Sequence, residues 1–331
     1  MDELFKIIKR EYGINGNRLQ PFHSVWKLTS PQGIFILKKM NCSSGQIDWV
    51  HGQLQQLIAA GFHGVTPFCL TADGAPAIRW KKTLFALTPW QPGSNPSFTN
   101  SNQIPRAAQF FGELHQAAKH CVPLRDYPDQ NPLQALEDQT AFLKRTLHKL
   151  AAKSTGNRID HAIRKWGQHF LAQADLSMAR LTTLNYGFWS RTTPEKGFCH
   201  NDPAPGNLLI YNSQWRLIDF ELSAAGVFCA ELALLLHRML LANQWDFRIW
   251  EPLLAAYTTA RPLSQAETDF LPALLCFPRA FWRLLRQRYK VASGWSERRF
   301  QDRLWKLTTI EPFRVNFLRQ WFPELVDRHE A

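Results

Sequence analysis

A chain of 331 residues that is 45% hydrophobic and 13% aromatic is too apolar for disorder and long enough to bury a core in two lobes. Its 39 basic against 27 acidic residues, a formal +12, favour an acidic partner: nucleotide, anionic polymer, membrane surface or nucleic acid. Six scattered cysteines with no Cys-x-x-Cys exclude a disulfide framework and fit free thiols in a reducing cytoplasm. Met1–Arg10 lacks the apolar core of a signal peptide, and no apolar run reaches the ~20 residues of a bilayer span, so no membrane insertion is expected.

In chain order, Leu4, Ile7 and Ile8 give residues 2–12 the pattern of a short amphipathic helix. Val25–Thr29 and Ile34–Lys38 read as strands about the turn Ser30-Pro31-Gln32-Gly33. Period two puts Ile36 and Lys38 on one face and Lys39 on the other. A lysine ending a strand face can reach a phosphate, or simply sit at a solvated edge. Gln46–Ala60 is expected to be helical. Val65–Leu70, Pro76–Trp80 and Thr83–Thr88 are expected to complete a small sheet, with Asp73-Gly74 as a turn. Pro89-Trp90-Gln91-Pro92-Gly93-Ser94-Asn95-Pro96 then forms a stiff linker. From Ile104 the pattern turns helical. Ala107, Phe111, Leu114 and Ala118 make one core stripe, and a long helical stretch fills about residues 132–184.

The richest stretch is Gly197-Phe198-Cys199-His200-Asn201-Asp202-Pro203-Ala204-Pro205-Gly206-Asn207, continued through Ile218-Asp219-Phe220-Glu221. Leu208–Tyr211 and Trp215–Ile218 read as a hairpin turning at Asn212-Ser213. A hairpin brings its ends together, so Asn207 and Asp219 become neighbours. Two oxygen-bearing side chains there suit a hard cation such as Mg2+. Asp202, on the preceding loop, is placed to accept a proton from a substrate hydroxyl. One base, one Asn on metal and one Asp on metal form the arrangement used for phosphoryl transfer. His200 reads as a buried orienter of this loop. Cys199 has no Cys or His nearby at zinc-like spacing, so a zinc site is not expected.

Beyond it, residues 279–306 carry nine Lys or Arg against two acids. Arg279, Arg283, Arg286 and Lys290 recur at helical spacing as one basic stripe, with Trp282 among the interleaved aromatics. The stripe is either a solvated face or an anion-binding wall for substrate or coat polymer; the aromatics suit stacking on a sugar or a core. No nucleic-acid-binding motif accompanies the charge, so nucleic acid is not expected as a partner.

The His-x-Asp-x4-Asn and Ile-Asp-Phe-Glu motifs resemble those of small-molecule kinases with a protein-kinase-like fold, including aminoglycoside phosphotransferases and choline kinases. Gly33–Met40, Ala59-Ala60-Gly61-Phe62 and Phe277-Pro278-Arg279-Ala280-Phe281-Trp282 narrow the resemblance to the CotS-type spore-coat branch. It implies an α+β, two-lobed fold: a small antiparallel β-rich N-lobe over residues 1–90 and a larger, mostly helical C-lobe over 91–331. It also implies ATP and Mg2+ as cofactors, Lys38 on the nucleotide phosphates, and the adenine against a hinge at Leu87 and Thr88. Ser24, where such kinases carry a phosphate-covering loop, either contributes to a phosphate or belongs to a plain turn. Glu231, before Leu-Ala, takes the place of an Asp that anchors the catalytic loop, or is an exposed helix-start carboxylate.

In that branch the acceptor is a hydroxyl of a small molecule or saccharide. The setting is a cytoplasm, that of the mother cell, with deposition among spore-coat components. Two departures stand out. The loop at Gln20–Ser24 has no glycine, and the helix at Gln46–Ala60 has no Glu to pair with Lys38. They leave room for a coat scaffold that keeps the fold with little turnover.

Overall fold

The computed structural model describes residues 2–121, 131–152, 156–291 and 294–325. The chain begins with α1 (Asp2–Tyr12), which sets Leu4 and Ile8 against the first sheet. Strands β1 (Arg18–Phe22), β2 (Val25–Ser30) and β3 (Gly33–Met40) form successive hairpins, followed by α2 (Ser44–Ala59), β4 (Ile78–Trp80) and β5 (Thr83–Pro89). The sheet is antiparallel, in the order β1-β2-β3-β5-β4. Leu19, Leu28, Leu37, Ile78, Phe85 and Leu87 form its small core with α1.

Two sequence expectations are corrected here. Val65–Leu70 is not a strand: Val65 makes only an isolated bridge to Leu217, in the later hairpin. Conversely, Gln20-Pro21-Phe22 lies in β1, whose Arg18–Phe22 pairs with Thr29–Val25. Pro21 is tolerated because β1 is an edge strand.

The chain continues through α3 (Gln103–Lys119), α4 (Pro132–Ala151), α5 (Arg158–Thr183), α6 (Tyr186–Thr192) and β6 (Lys196–Cys199). Then come the hairpin β7 (Leu208–Tyr211) and β8 (Gln214–Leu217), then β9 (Ala224–Val227), which pairs with β6. The chain closes with α7 (Phe228–Ala242), α8 (Trp250–Ala260), α9 (Gln265–Cys276), α10 (Arg279–Tyr289) and α11 (Glu297–Leu318). Local chemistry sets several boundaries. Ser43 caps α2 by accepting from the Gln46 N–H at 3.2 Å, and Asn157 caps α5 through the Asp160 N–H at 3.0 Å. Ser264 and Glu267 form a reciprocal capping box on α9. Pro278 separates α9 from α10.

The two halves are joined through the hairpin. Ser94 and Ile210 exchange backbone hydrogen bonds at 3.1 and 2.9 Å, and the Leu217 N–H donates to the Gly64 carbonyl at 2.7 Å. Gly93 permits this approach: its φ is +140°, and a Cβ there would lie 2.8 Å from the Ile210 carbonyl oxygen. Helix α2 belongs as much to the second half as to the first. Its Trp49 stacks on Phe198 of β6, and Ile47, Val50, Leu54 and Leu57 enter the large helical core. Among the described residues no helix is long and apolar enough to cross a membrane.

Candidate active site

The hairpin is built as its sequence predicts. Asn212 and Ser213 take left-handed backbone angles of +48° and +62°, the type I′ geometry that matches strand twist in a two-residue turn. Beyond the paired Leu208 and Leu217, the Ile218 N–H donates to the Asn207 carbonyl at 2.9 Å. Asn207 and Asp219 therefore stand at the same end of the ladder. Asp219 has a φ of +70° and Asn201 one of +63°; Asn and Asp accept this region more readily than most residues.

Lys38 reaches this end from β3. Its ammonium contacts the Asp219 carboxylate and lies 3.4 Å from Glu221 Oε2. The partner that α2 does not supply thus comes from the stretch after the hairpin. Helix α2 still engages that stretch through Gln46, whose Nε2 donates to the Glu221 carbonyl at 2.9 Å, and just after β3 the Asn41 N–H donates to Glu221 Oε1 at 3.3 Å. Asp219 is 41% exposed, open to a ligand. Asn207 and the exposed part of Asp219 supply oxygen donors of the kind a hard divalent cation takes.

Asp202 stands beside this set. Asn207 Nδ2 donates to its Oδ2 at 2.8 Å and to its backbone carbonyl at 3.0 Å. This leaves the amide oxygen of Asn207 for another partner. The other carboxylate oxygen of Asp202 accepts from the Arg238 guanidinium of α7. Arg238 was not singled out from sequence. It lies in an apolar helix where His237-Arg238 only interrupts a run of leucines, so no local pattern pointed to it.

His200 orients the loop. Its ring is buried, its Nε2 donates to the Ile218 carbonyl at 3.0 Å, and its Nδ1 accepts from the Asp202 N–H at 3.3 Å. These bonds set its tautomer and tie the loop to the hairpin. Glu231 is 1% exposed, which removes the exposed-carboxylate alternative. It accepts from the backbone N–H groups of His200 and Asn201 and from His115 Nε2. His115 Nδ1 accepts from the Tyr257 hydroxyl at 2.8 Å, and Arg261 donates to that hydroxyl at 2.9 Å. Arg261 pairs with Glu195 and Glu267. These bonds run unbroken from α9 to the loop that carries Asp202. Burial raises the cost of the Glu231 charge, but bonds from His115 and the Asn201 N–H hold its carboxyl below the usual range. Burial keeps His115 neutral.

His115, Cys199 and Glu231 bring potential metal ligands within 4.8 Å of one another. The donor chemistry does not fit a cation. Burial pushes the Cys199 thiol well up, so it stays protonated, while His115 Nε2 and both Glu231 oxygens are spent on hydrogen bonds.

The remaining candidates lie at different places. Ser24 is exposed at the tip of the β1–β2 turn, where His23 has a φ of +53°. Leu87 is fully buried in β5 and its carbonyl accepts from the Cys69 N–H at 2.7 Å; Thr88 pairs with Ile36 and is half-buried. The basic stripe divides. Arg279 and Arg283 act on Arg238 and His237 of α7, whereas exposed Arg286 lies 5.8 Å over the Trp282 ring, which packs against the core. The other aromatics are structural: Phe281 stacks on Phe170 at 4.3 Å, and the Tyr289 hydroxyl donates to Asp160 at 2.7 Å.

Comparison with known proteins agrees with this geometry. Spore coat protein S of Bacillus subtilis (strain 168) is 21% identical over 316 residues, covering 93% of this chain and 89% of that protein. An aminoglycoside phosphotransferase from Alicyclobacillus acidocaldarius shares the fold with a TM-score of 0.80 at 19% identity, covering 96% and 95% of the two chains. A spectinomycin phosphotransferase, solved with AMP, gives a TM-score of 0.71 at 12% identity over 95% and 97%. Residues 21–274 match the phosphotransferase enzyme family, and the chain belongs to that family.

Proposed function

We propose that this protein transfers the terminal phosphoryl group of ATP to a hydroxyl of a small molecule or saccharide. The observation that carries this reading is the convergence of Lys38, from the N-terminal sheet, with Asp219, Asn207 and Asp202 at one end of one hairpin. Lys38 binds nucleotide phosphates. Asn207 and Asp219, with Glu221 beside them, would hold Mg2+, which when bound neutralises phosphate charge. Asp202 accepts the hydroxyl proton as the acceptor oxygen bonds to the γ-phosphorus. The bond from that phosphorus to the bridging oxygen breaks, and ADP leaves with the electron pair. Thr88 and the residues after it form the adenine-facing hinge, and Ser24 covers the phosphates from the β1–β2 tip. A spectinomycin phosphotransferase in complex with ADP and spectinomycin, and an amicoumacin kinase in complex with AMP-PNP, Ca2+ and Ami, support a nucleotide, a divalent cation and a small acceptor here. The spore-coat relative supports a role in forming or decorating the spore surface.

The absence of a Glu in α2 favoured a scaffold without turnover. Glu221, 3.4 Å from Lys38, weakens that alternative because it supplies a carboxylate by another route. The test is thermal unfolding with and without Mg-ATP. Binding to the native state alone adds about 2.7 kcal/mol at a hundredfold excess over Kd, so the wild-type melting temperature should rise saturably. Asp219→Asn, which keeps a residue type that accepts the φ of +70°, should melt close to wild type without ligand and should lose most of the rise. A wild type indifferent to Mg-ATP would overturn the kinase reading.

A further inference from the structure

The guanidiniums gathered about Arg238 outnumber the carboxylates that meet them. Arg238 is half-buried and holds Asp202. Arg279 and Arg283, one turn apart on α10, lie close enough to Arg238 and to each other to act on them electrostatically. Among the described residues, neither Arg279 nor Arg283 has a carboxylate partner or a side-chain hydrogen bond. Three other sheltered arginines of this protein are matched by carboxylates. Arg261 meets Glu195 and Glu267, Arg314 meets Glu311 and two carbonyls, and Arg288 meets Asp160 and Glu297. Burial and the charges of Arg283 and Arg238 pull Arg279 down to about 10, while the Tyr186 phenol beside it stays neutral in its own buried setting. Like charges gathered without counter-charge cost stability, and a bound anion is what offsets that cost.

We propose that Arg238, Arg279 and Arg283 form an anion pocket for the acceptor. The substrate is then a hydroxyl compound carrying a carboxylate or a phosphate, and its anionic group takes Arg238 from Asp202. That exchange leaves the Asp202 oxygen free to accept the hydroxyl proton. Arg238 is thus a positioning residue, and a neutral or cationic acceptor would leave the base tied up. The assignment of the pocket to the acceptor rests on the kinase reading above; the pocket's affinity for anions does not.

Glycerol, glycerate and glycerol 3-phosphate provide matched probes: neutral, carboxylate and phosphate. Each is titrated into the full chain at fixed ionic strength and followed by thermal shift. Glycerate, glycerol 3-phosphate or both should raise the melting temperature saturably, and glycerol should not; the better of the two identifies the anion. Arg279→Gln/Arg283→Gln should weaken that apparent affinity by at least about tenfold, the usual worth of one or two charge-assisted hydrogen bonds. Arg283→Gln alone, at an exposed position, gives a smaller loss if the double variant does not fold. Arg286→Gln should change nothing. Asp202→Asn should bind the anion more tightly, by about threefold or more, because it no longer competes for Arg238. No saturable anion effect in wild type, or equal affinity in wild type and arginine variants, overturns the pocket. Unchanged affinity in Asp202→Asn overturns the exchange. Loss of the Mg-ATP response with anion binding intact would instead remove the kinase reading and leave the pocket.

Discussion

Two carboxylates serve the same loop and are treated in opposite ways. Glu231 is fully enclosed and its partners are fixed: two backbone N–H groups and a neutral His115, itself backed by Tyr257 and Arg261. Asp202 is 31% exposed, and its partners are the side chains of Asn207 and Arg238. Backbone donors cannot leave without unfolding the loop. Side chains can exchange one acceptor for another. The loop is thus held by a carboxylate that never has to change partners, which leaves the other able to do so in the proposed transfer.

The largest way to break this comparison is at Asp202. Asp202→Asn keeps size and shape, so folding and Mg-ATP binding should survive. Turnover with an identified acceptor should fall by about 10^2–10^4-fold, the usual contribution of a positioned general base. Equal turnover in wild type and variant would show that Asp202 does not take the proton. At Glu231 the effect should move from rate to stability. Glu231→Ala strands buried N–H donors at His200 and Asn201 and an imidazole N–H at His115. It should cost about 2–5 kcal/mol in chemical denaturation. Glu231→Gln keeps an acceptor oxygen and should recover part of that loss. A Glu231→Ala chain as stable as wild type would mean the buried chain of hydrogen bonds carries little of the loop's order.

The sequence disclosed the Asp202 side of this comparison far better than the Glu231 side. Hairpin periodicity between Asn207 and Asp219 is local, and local signals survive in a single chain. The two-lobed, sheet-then-helix architecture followed from the same periodicities together with the motif resemblance. What stayed hidden is long-range. Glu231 meets His115, 116 residues away, and Arg238 meets Asp202, 36 residues away, with no spacing rule linking them. The edge strand β1 was obscured by Pro21, and β6 and β9 are four-residue strands whose pairing depends on the intervening hairpin. Glu221 was visible within its motif, but its place beside Lys38 follows from how β3 meets the hairpin.

The smallest expected effect sharpens the comparison through pH. His115, on the Glu231 side, and His237, beside the arginines, are both buried, and both lie below their ordinary value of 6.5. For His115 the main cause is burial, partly opposed by Glu231; for His237 it is burial reinforced by Arg314, Arg279, Arg238 and Arg283. In the folded chain both rings stay neutral just below pH 6.5, while in the unfolded chain they take up protons there. The unfolded state then binds more protons, so stability falls as pH drops below about 6.5, until the folded-state values are reached. Each histidine adds at most about 1.4 kcal/mol per pH unit to that slope. Because the arginines add to the effect of burial, the contribution of His237 should persist to lower pH than that of His115. Denaturant unfolding between pH 7 and pH 5 should show His237→Gln removing more of the slope than His115→Gln. A saturating anion in the arginine pocket should reduce the His237 share, since it offsets the charges that oppose protonation. If stability is flat across this range in wild type, the two rings do not remain neutral in the fold.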